Sequence, residues 1–260
     1  MDRYPEPDQA RPGPAVSEPP IRQLFREVIA ERLPGRRPVQ AMLLFGSEND
    51  PCWDDDRSFL ADFYNAILHQ DTCQPGTAEG LVLLVTLALD ERVPARQRFE
   101  AVDLLFSAAT VAERHLAEAW PTTPPHADAD SEARARRAVR AHLPRLLGRW
   151  SAECPAVRLA LAGPAVVFPT ERTLPALKPR LRTFEQEHPQ GTDIGDYVRL
   201  LLVLAGQDED RILAATETFT DAAWGGTARG APTRARALHL LRQMLTSVRT
   251  GLARATGPQF

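Results

Sequence analysis

The densest group of chemically capable side chains is Gly46-Ser47-Glu48-Asn49-Asp50-Pro51-Cys52-Trp53-Asp54-Asp55-Asp56, a loop with five carboxylates. Clustered carboxylate oxygens suit a hard cation such as calcium or magnesium. The spacing lacks the alternation and the glycine of a calcium loop, and Asp54 to Asp56 stand just before a helix, whose N-terminus favours negative charge. Capping is therefore the expected role, and no metal site is expected there. The six histidines, His69, His115, His126, His142, His188 and His239, are far apart. His115 and Glu118, three residues apart on one helical face, come nearest to a ligand pair. A metal needs further ligands, which the sequence does not mark. Cys52, Cys73 and Cys154 stand singly, without C-x-x-C spacing, as inert thiols of a reducing cytosol do. There is no Gly-rich phosphate loop, no H-E-x-x-H and no G-x-S-x-G. Neither catalytic residues nor a cofactor is expected.

Binding is the chemistry that remains. Trp53 and Trp224 lie in loops beside charge, where a tryptophan makes a good interface anchor, and Asp54 adjoins the first of them. His69-Gln70, at a helix end, suits the carbonyls left free there or a contact with a partner. Arg134, Arg136, Arg137, Arg140, Arg145 and Arg149 spread over the polar face of one helix, and Arg134 and Arg137 are the candidates for contact with an anion. Arginine richness alone carries little weight, because all but one of the 31 basic residues are arginine. The net charge of -3 hides an asymmetry: residues 1–92 hold sixteen acids against nine arginines, and after Asp221 there are six arginines and no acid. In an elongated molecule this gives a field running from an acidic to a basic end.

The elements that must position these residues are helical throughout. Residues 1–20 carry six prolines and little to bury, so a disordered tail is expected. Ile21, Leu24, Phe25, Val28 and Ile29 make a clean stripe up to Leu33. Residues 39–45 are too short to assign, and 57–70 show a stripe of Phe59, Leu60, Phe63, Ile67 and Leu68. The stretch 77–90 is apolar all round, with Leu81, Leu83, Leu84, Val85 and Leu87, and is expected to be an interior helix. Residues 94–109 carry Phe99, Val102, Phe106 and Ala109 on one stripe, with Arg98, Glu100 and Asp103 elsewhere, as in an amphipathic helix covering it. Further helices are expected at 111–120, 131–150, 154–168, 172–188, 192–205, 208–223 and 233–255. Thr77 and Thr192 are expected as N-caps, Asp130 or Ser131 as the cap of the arginine-rich helix, and Trp150 as core. Pro144 and Pro164 are expected to kink or split their helices. The composition of 120–131 marks a loop insertion.

Gly76-Thr77-x-x-Gly80, with its leucine run and Asp90-Glu91, is echoed 115 residues later by Gly191-Thr192-x-x-Gly195, a leucine run and Asp208-Glu209. Three repeats of about 38 residues fit that offset, close to the period of HEAT and armadillo units. The segment Ala66-Ile67-Leu68-His69-Gln70-Asp71-Thr72, then Pro94-Ala95-Arg96 to Leu104-Leu105, and the run Cys154 to Ala162 resemble divergent bacterial HEAT-like repeat proteins. The resemblance covers residues 57–220. It implies an all-α fold, a right-handed α-solenoid of ten or eleven helices in antiparallel pairs, with one repeat domain over 21–256. It also implies a non-enzymatic interaction module or scaffold, such as a neutralising or regulatory partner, that binds another protein. The alternative is nucleic-acid binding, DNA-glycosylase-like, through the arginine-rich helices; the net charge speaks against it. No stretch approaches the ~20 apolar residues of a membrane span, so a cytoplasmic protein without membrane contact is expected.

Overall fold

The computed structural model describes residues 21–34, 67–68, 71–170, 173–219 and 230–256. The expected tail, the 39–45 piece, the acidic loop with Trp53 and Asp54, His69 and Gln70 with most of helix 57–70, and the Trp224 loop lie outside them. Among the described residues there are ten α-helices and no strand: α1 (Ile21–Arg32), α2 (Thr77–Leu89), α3 (Ala95–Ala109), α4 (Val111–Ala119), α5 (Ala129–Gly148), α6 (Pro155–Val167), α7 (Thr173–Glu187), α8 (Asp193–Gly206), α9 (Glu209–Phe219) and α10 (Thr233–Thr256). A single 3-10 turn, Trp150–Ala152, joins α5 to α6.

The helices follow the apolar stripes, and their ends follow capping chemistry. The α5 cap is Asp128, upstream of the expected Asp130 or Ser131: its carboxylate accepts from the backbone N–H of both. Ser131 is buried and donates its hydroxyl to Asp128 at 2.6 Å, so it supports the cap that it was expected to supply. Thr192 caps α8 as expected, accepting from Gly195 N–H at 3.1 Å. Thr77 does not cap α2. Its hydroxyl accepts from Gln74 N–H and donates to the Ile67 carbonyl, tying the preceding segment to the helix start. Neither Pro144 nor Pro164 splits its helix, since α5 and α6 run continuously across them.

Neighbouring helices in sequence pack together as α2 with α3, α5 with α6, α7 with α8 and α9 with α10. The second members touch in series, α3 to α6, α6 to α8 and α8 to α10, and α10 reaches back to α3 and α4. Helix α3 meets α2, α4, α5, α6 and α10, and α6 likewise meets five helices. From Ala101 to Val111 every residue is buried. This corrects the expected roles: α3, read as the shield, is the enclosed helix, whereas α2 leaves Val82, Thr86 and Leu89 half-exposed. Gly163 permits the closest approach, because a Cβ there would lie 3.2 Å from the Phe106 ring. Each large apolar side chain so buried contributes roughly 1.5–3 kcal/mol.

The buried polar side chains of α3 are cross-links, whereas Arg96 and Glu100 pair along its partly exposed first turns. Arg98 donates to Glu153 at 2.7 and 3.1 Å, with the Glu153 side chain fully buried, and Arg149 donates to the other oxygen at 3.1 Å. Asp103 lies 3.2 Å from Arg242 Nη2, and Arg242 Nε donates to the Ser107 hydroxyl. Removing Glu153 strands a buried guanidinium. Glu153→Ala is expected to lower the unfolding free energy by about 3–5 kcal/mol in urea titrations, and R98M/E153M to recover most of that loss. Equal destabilisation by the single and double variants would show that the pair is not what holds α3 to the turn before α6.

Candidate functional site

The arginines of α5 divide by what they touch. Arg136 points inward, pairing with Glu113, donating to the Ala109 carbonyl at 2.9 Å and lying over the Phe168 ring at 5.1 Å. Arg149 is held by Glu153. Arg134 is exposed and donates to Ser131 Oγ at 2.7 Å, close enough to Asp128 to help hold that carboxyl below its usual range, after the hydrogen bonds from Ser131. Arg137, Arg140 and Arg145 are exposed and have no ion-pair partner among the described residues. Of the expected contact residues, Arg134 and Arg137 thus sit on the outer face of α5; Trp53, Asp54, His69, Gln70 and Trp224 lie outside the described residues. Trp120, expected only to end a helix, is 40% exposed there, and Trp150 is core.

Two clefts flank this helix. The first, about 590 Å³, lies between α1, α2 and α5 and is lined by Arg32, Val82, Val85, Leu89, Asp90, His142 and Arg145. Its carboxylate is already engaged. Asp90 takes two hydrogen bonds from the Arg92 side chain at 3.0 Å and one from its backbone, with Arg32 at 3.6 Å, and this holds it below the usual carboxylate range. Arg92 also pairs with Glu31, so the cluster fastens the end of α1 to the end of α2. The second cleft, about 730 Å³, opens between α5 and α7. Its floor is Leu143, Leu147, Phe168 and Leu177, and its rim carries Arg140 and Arg180. No carboxylate among the described residues lines it. Arg180 was not among the expected contact residues; its only signal in the sequence is the basic trio Lys178, Arg180 and Arg182.

Several groups suited to acid–base work sit between helices, whereas His142 lines the first cleft. His115 and Glu118 do not pair with each other: His115 Nδ1 lies 3.2 Å from Glu132 of α5, and Glu118 lies 3.2 Å from His239 Nδ1 of α10. Both nitrogens sit off the line of a well-directed hydrogen bond, so these are close contacts rather than aligned donor–acceptor pairs. Helix α4 is clamped by one such contact on each side. Burial pushes the Cys73 thiol up to about 12, with Glu132 adding to the shift, and that leaves it un-ionised and inert. Tyr197, fully buried, donates to the Leu159 carbonyl at 3.1 Å, and burial raises its pKa. Among the described residues no three His, Cys, Asp or Glu side chains converge as metal ligands, and no helix is long and apolar enough to cross a membrane.

No protein-family model matches the chain, nor does any curated protein or solved structure.

The clamp on α4 carries a pH signature. The contact with His239 holds Glu118 below its ordinary value of 4.5. A depressed carboxyl stabilises the fold fully above that ordinary value, and the contribution is lost as pH falls through the depressed one. In thermal melts followed by circular dichroism, the advantage of the wild type over Glu118→Gln is expected to be steady near pH 5.5 and to shrink below pH ~4. A difference that stays constant down to pH ~2.5 would show that the contact does not stabilise the folded state.

Proposed function

We propose that the chain is a non-enzymatic interaction module that binds another protein through the outer face of α5. Its architecture is a short HEAT-like stack of antiparallel helix pairs. The arrangement of contacts supports that reading: the second helix of each pair follows the second helix of the one before, as in the inner row of a solenoid. The single observation that carries the functional reading is the contrast between the interior and α5. Glu153, His115, Glu132, Glu118 and His239 are tied between helices, whereas Arg137, Arg140 and Arg145 have no ion-pair partner among the described residues, and Arg140 and Arg145 each line a cleft. Unpaired arginines next to apolar surface are what interface anchors are made of.

Nucleic-acid binding draws on the same arginines and is the second reading. It requires phosphate contacts, whose affinity falls steeply with salt.

The test is chemical cross-linking in native lysate followed by mass spectrometry, with the wild type set against R137E/R140E/R145E. The reversal touches exposed side chains and is expected to change stability by no more than about 0.5 kcal/mol while abolishing capture of a defined protein. Equal capture by both would remove α5 from the interface. Retention on duplex DNA that is lost in the variant and above ~0.3 M salt would favour the second reading.

A further inference from the structure

We propose that the cleft between α5 and α7 docks an acidic amphipathic segment of a partner protein, with one or two large apolar side chains on its floor and carboxylates paired to Arg140 and Arg180. This rests on the interaction-module reading and gives it a site and a chemistry.

The floor borders the main core, and the apolar surface it leaves open is chiefly Pro144 and Leu147. Leu143, Leu177 and Phe168 belong to the buried cluster, with Leu147 packed against it, and all four line the cleft. A volume of about 730 Å³ is in the range of sites that bury a compact ligand or a few side chains. The rim is positive. Arg140 is exposed and has no ion-pair partner among the described residues, and Arg180 is half-buried with its guanidinium over the Trp150 ring at 5.3 Å. The contact holds Arg180 against the ring, and no ion pair among the described residues engages its N–H donors. A guanidinium held in this way is prepared for two parallel hydrogen bonds to a carboxylate.

The threonines that line the cleft are already engaged. Thr170 and Thr173 cap the start of α7 reciprocally, each hydroxyl accepting the other's backbone N–H, with their oxygens 2.8 Å apart. The cleft therefore offers an occupant apolar contact and two cations, and that combination selects an acidic, one-sided segment. The aromatic rings argue against a nucleic acid. Phe168 and Trp150 are 7% and 5% exposed, and each already has a guanidinium over its face, Arg136 and Arg180 respectively. Single-stranded bases need free aromatic faces for stacking.

The test pans a phage library of random helical peptides, about sixteen residues long to allow four turns, against the full-length chain. R140E/R180E and Ala176→Trp are run in parallel. Ala176 is exposed on the cleft wall, so a tryptophan there fills the space and keeps both arginines. The wild type is expected to enrich peptides with Asp or Glu flanking Leu, Ile, Phe or Trp at helical spacing. Synthesised, they should bind each variant at least about tenfold more weakly and weaken further as sodium chloride is raised. Unchanged circular dichroism and melting temperature establish that the variants fold; if Arg180 proves necessary over Trp150, Ala176→Trp alone decides. Peptides without acidic bias, no enrichment, or acidic peptides that bind both variants as well as the wild type would overturn the cleft and leave the broader reading standing. A wild-type dimer by ultracentrifugation that Ala176→Trp dissociates would make a second copy the occupant. Duplex or single-stranded DNA binding lost in R140E/R180E would make it a nucleic acid. Both results overturn the proposal, and the second also removes the broader reading.

Discussion

Everything in this fold is arranged around the enclosure of α3. From Ala101 onward this helix has no solvent face on which to leave polar groups, and a buried charge without a partner costs several kcal/mol. Arg98 and Asp103 are therefore compatible with the position only because Glu153 and Arg242 meet them. Ser107 and Thr110 close back on the carbonyls of Asp103 and Phe106 at 2.9 Å, so their hydroxyls need no water. The partners lie 55 and 139 residues further along the chain, and through them the segment before α6 and the final helix are both keyed to one register of α3. A slip of α3 by one turn would preserve most of the apolar contact and strand two charges. The ion pairs thus act on specificity more than on net stability, consistent with what replacing such pairs by apolar residues does elsewhere.

The same arrangement explains what could and could not be read from the residues. Helix positions were legible because apolar side chains recur at helical spacing in α1, α5, α7 and α9, and Pro-rich or Gly-rich segments separate them. Centrality was not legible. Arg98 and Asp103 carry the same signal whether they face water or a distant partner, so α3 looked like a cover, and leucine-dense α2 looked like the interior. Local spacing likewise places His115 and Glu118 on one face, but which charge each one meets depends on where α5 and α10 pass. Capping failed for a smaller reason: 128–131 offer several oxygens within hydrogen-bond reach of the same N–H groups, and backbone geometry chose Asp128. Of the candidate site, the arginine face of α5 was visible. Its division into inward cross-links, Arg136 and Arg149, and outward cations was not, because that division depends on Glu113 and Glu153 in other elements.

The clefts follow from the packing and not from any local motif. The second helices of the pairs stay in contact as the series curls back on α3, and α2 still packs against α5; between α5 and α7 a cleft opens instead. Pro144 in α5 and Pro179 in α7 each remove a backbone donor from a helix bounding the gap. Arg140 stands four residues before Pro144, one turn away on the same face, so the residue whose carbonyl loses its helical partner also carries the cation at the rim. The opening is thus a place where the edge of the apolar core lies between two helices that each bring one arginine to it. Charge and shape coincide there because Arg140 and Arg180 stand on the two helices that bound the gap.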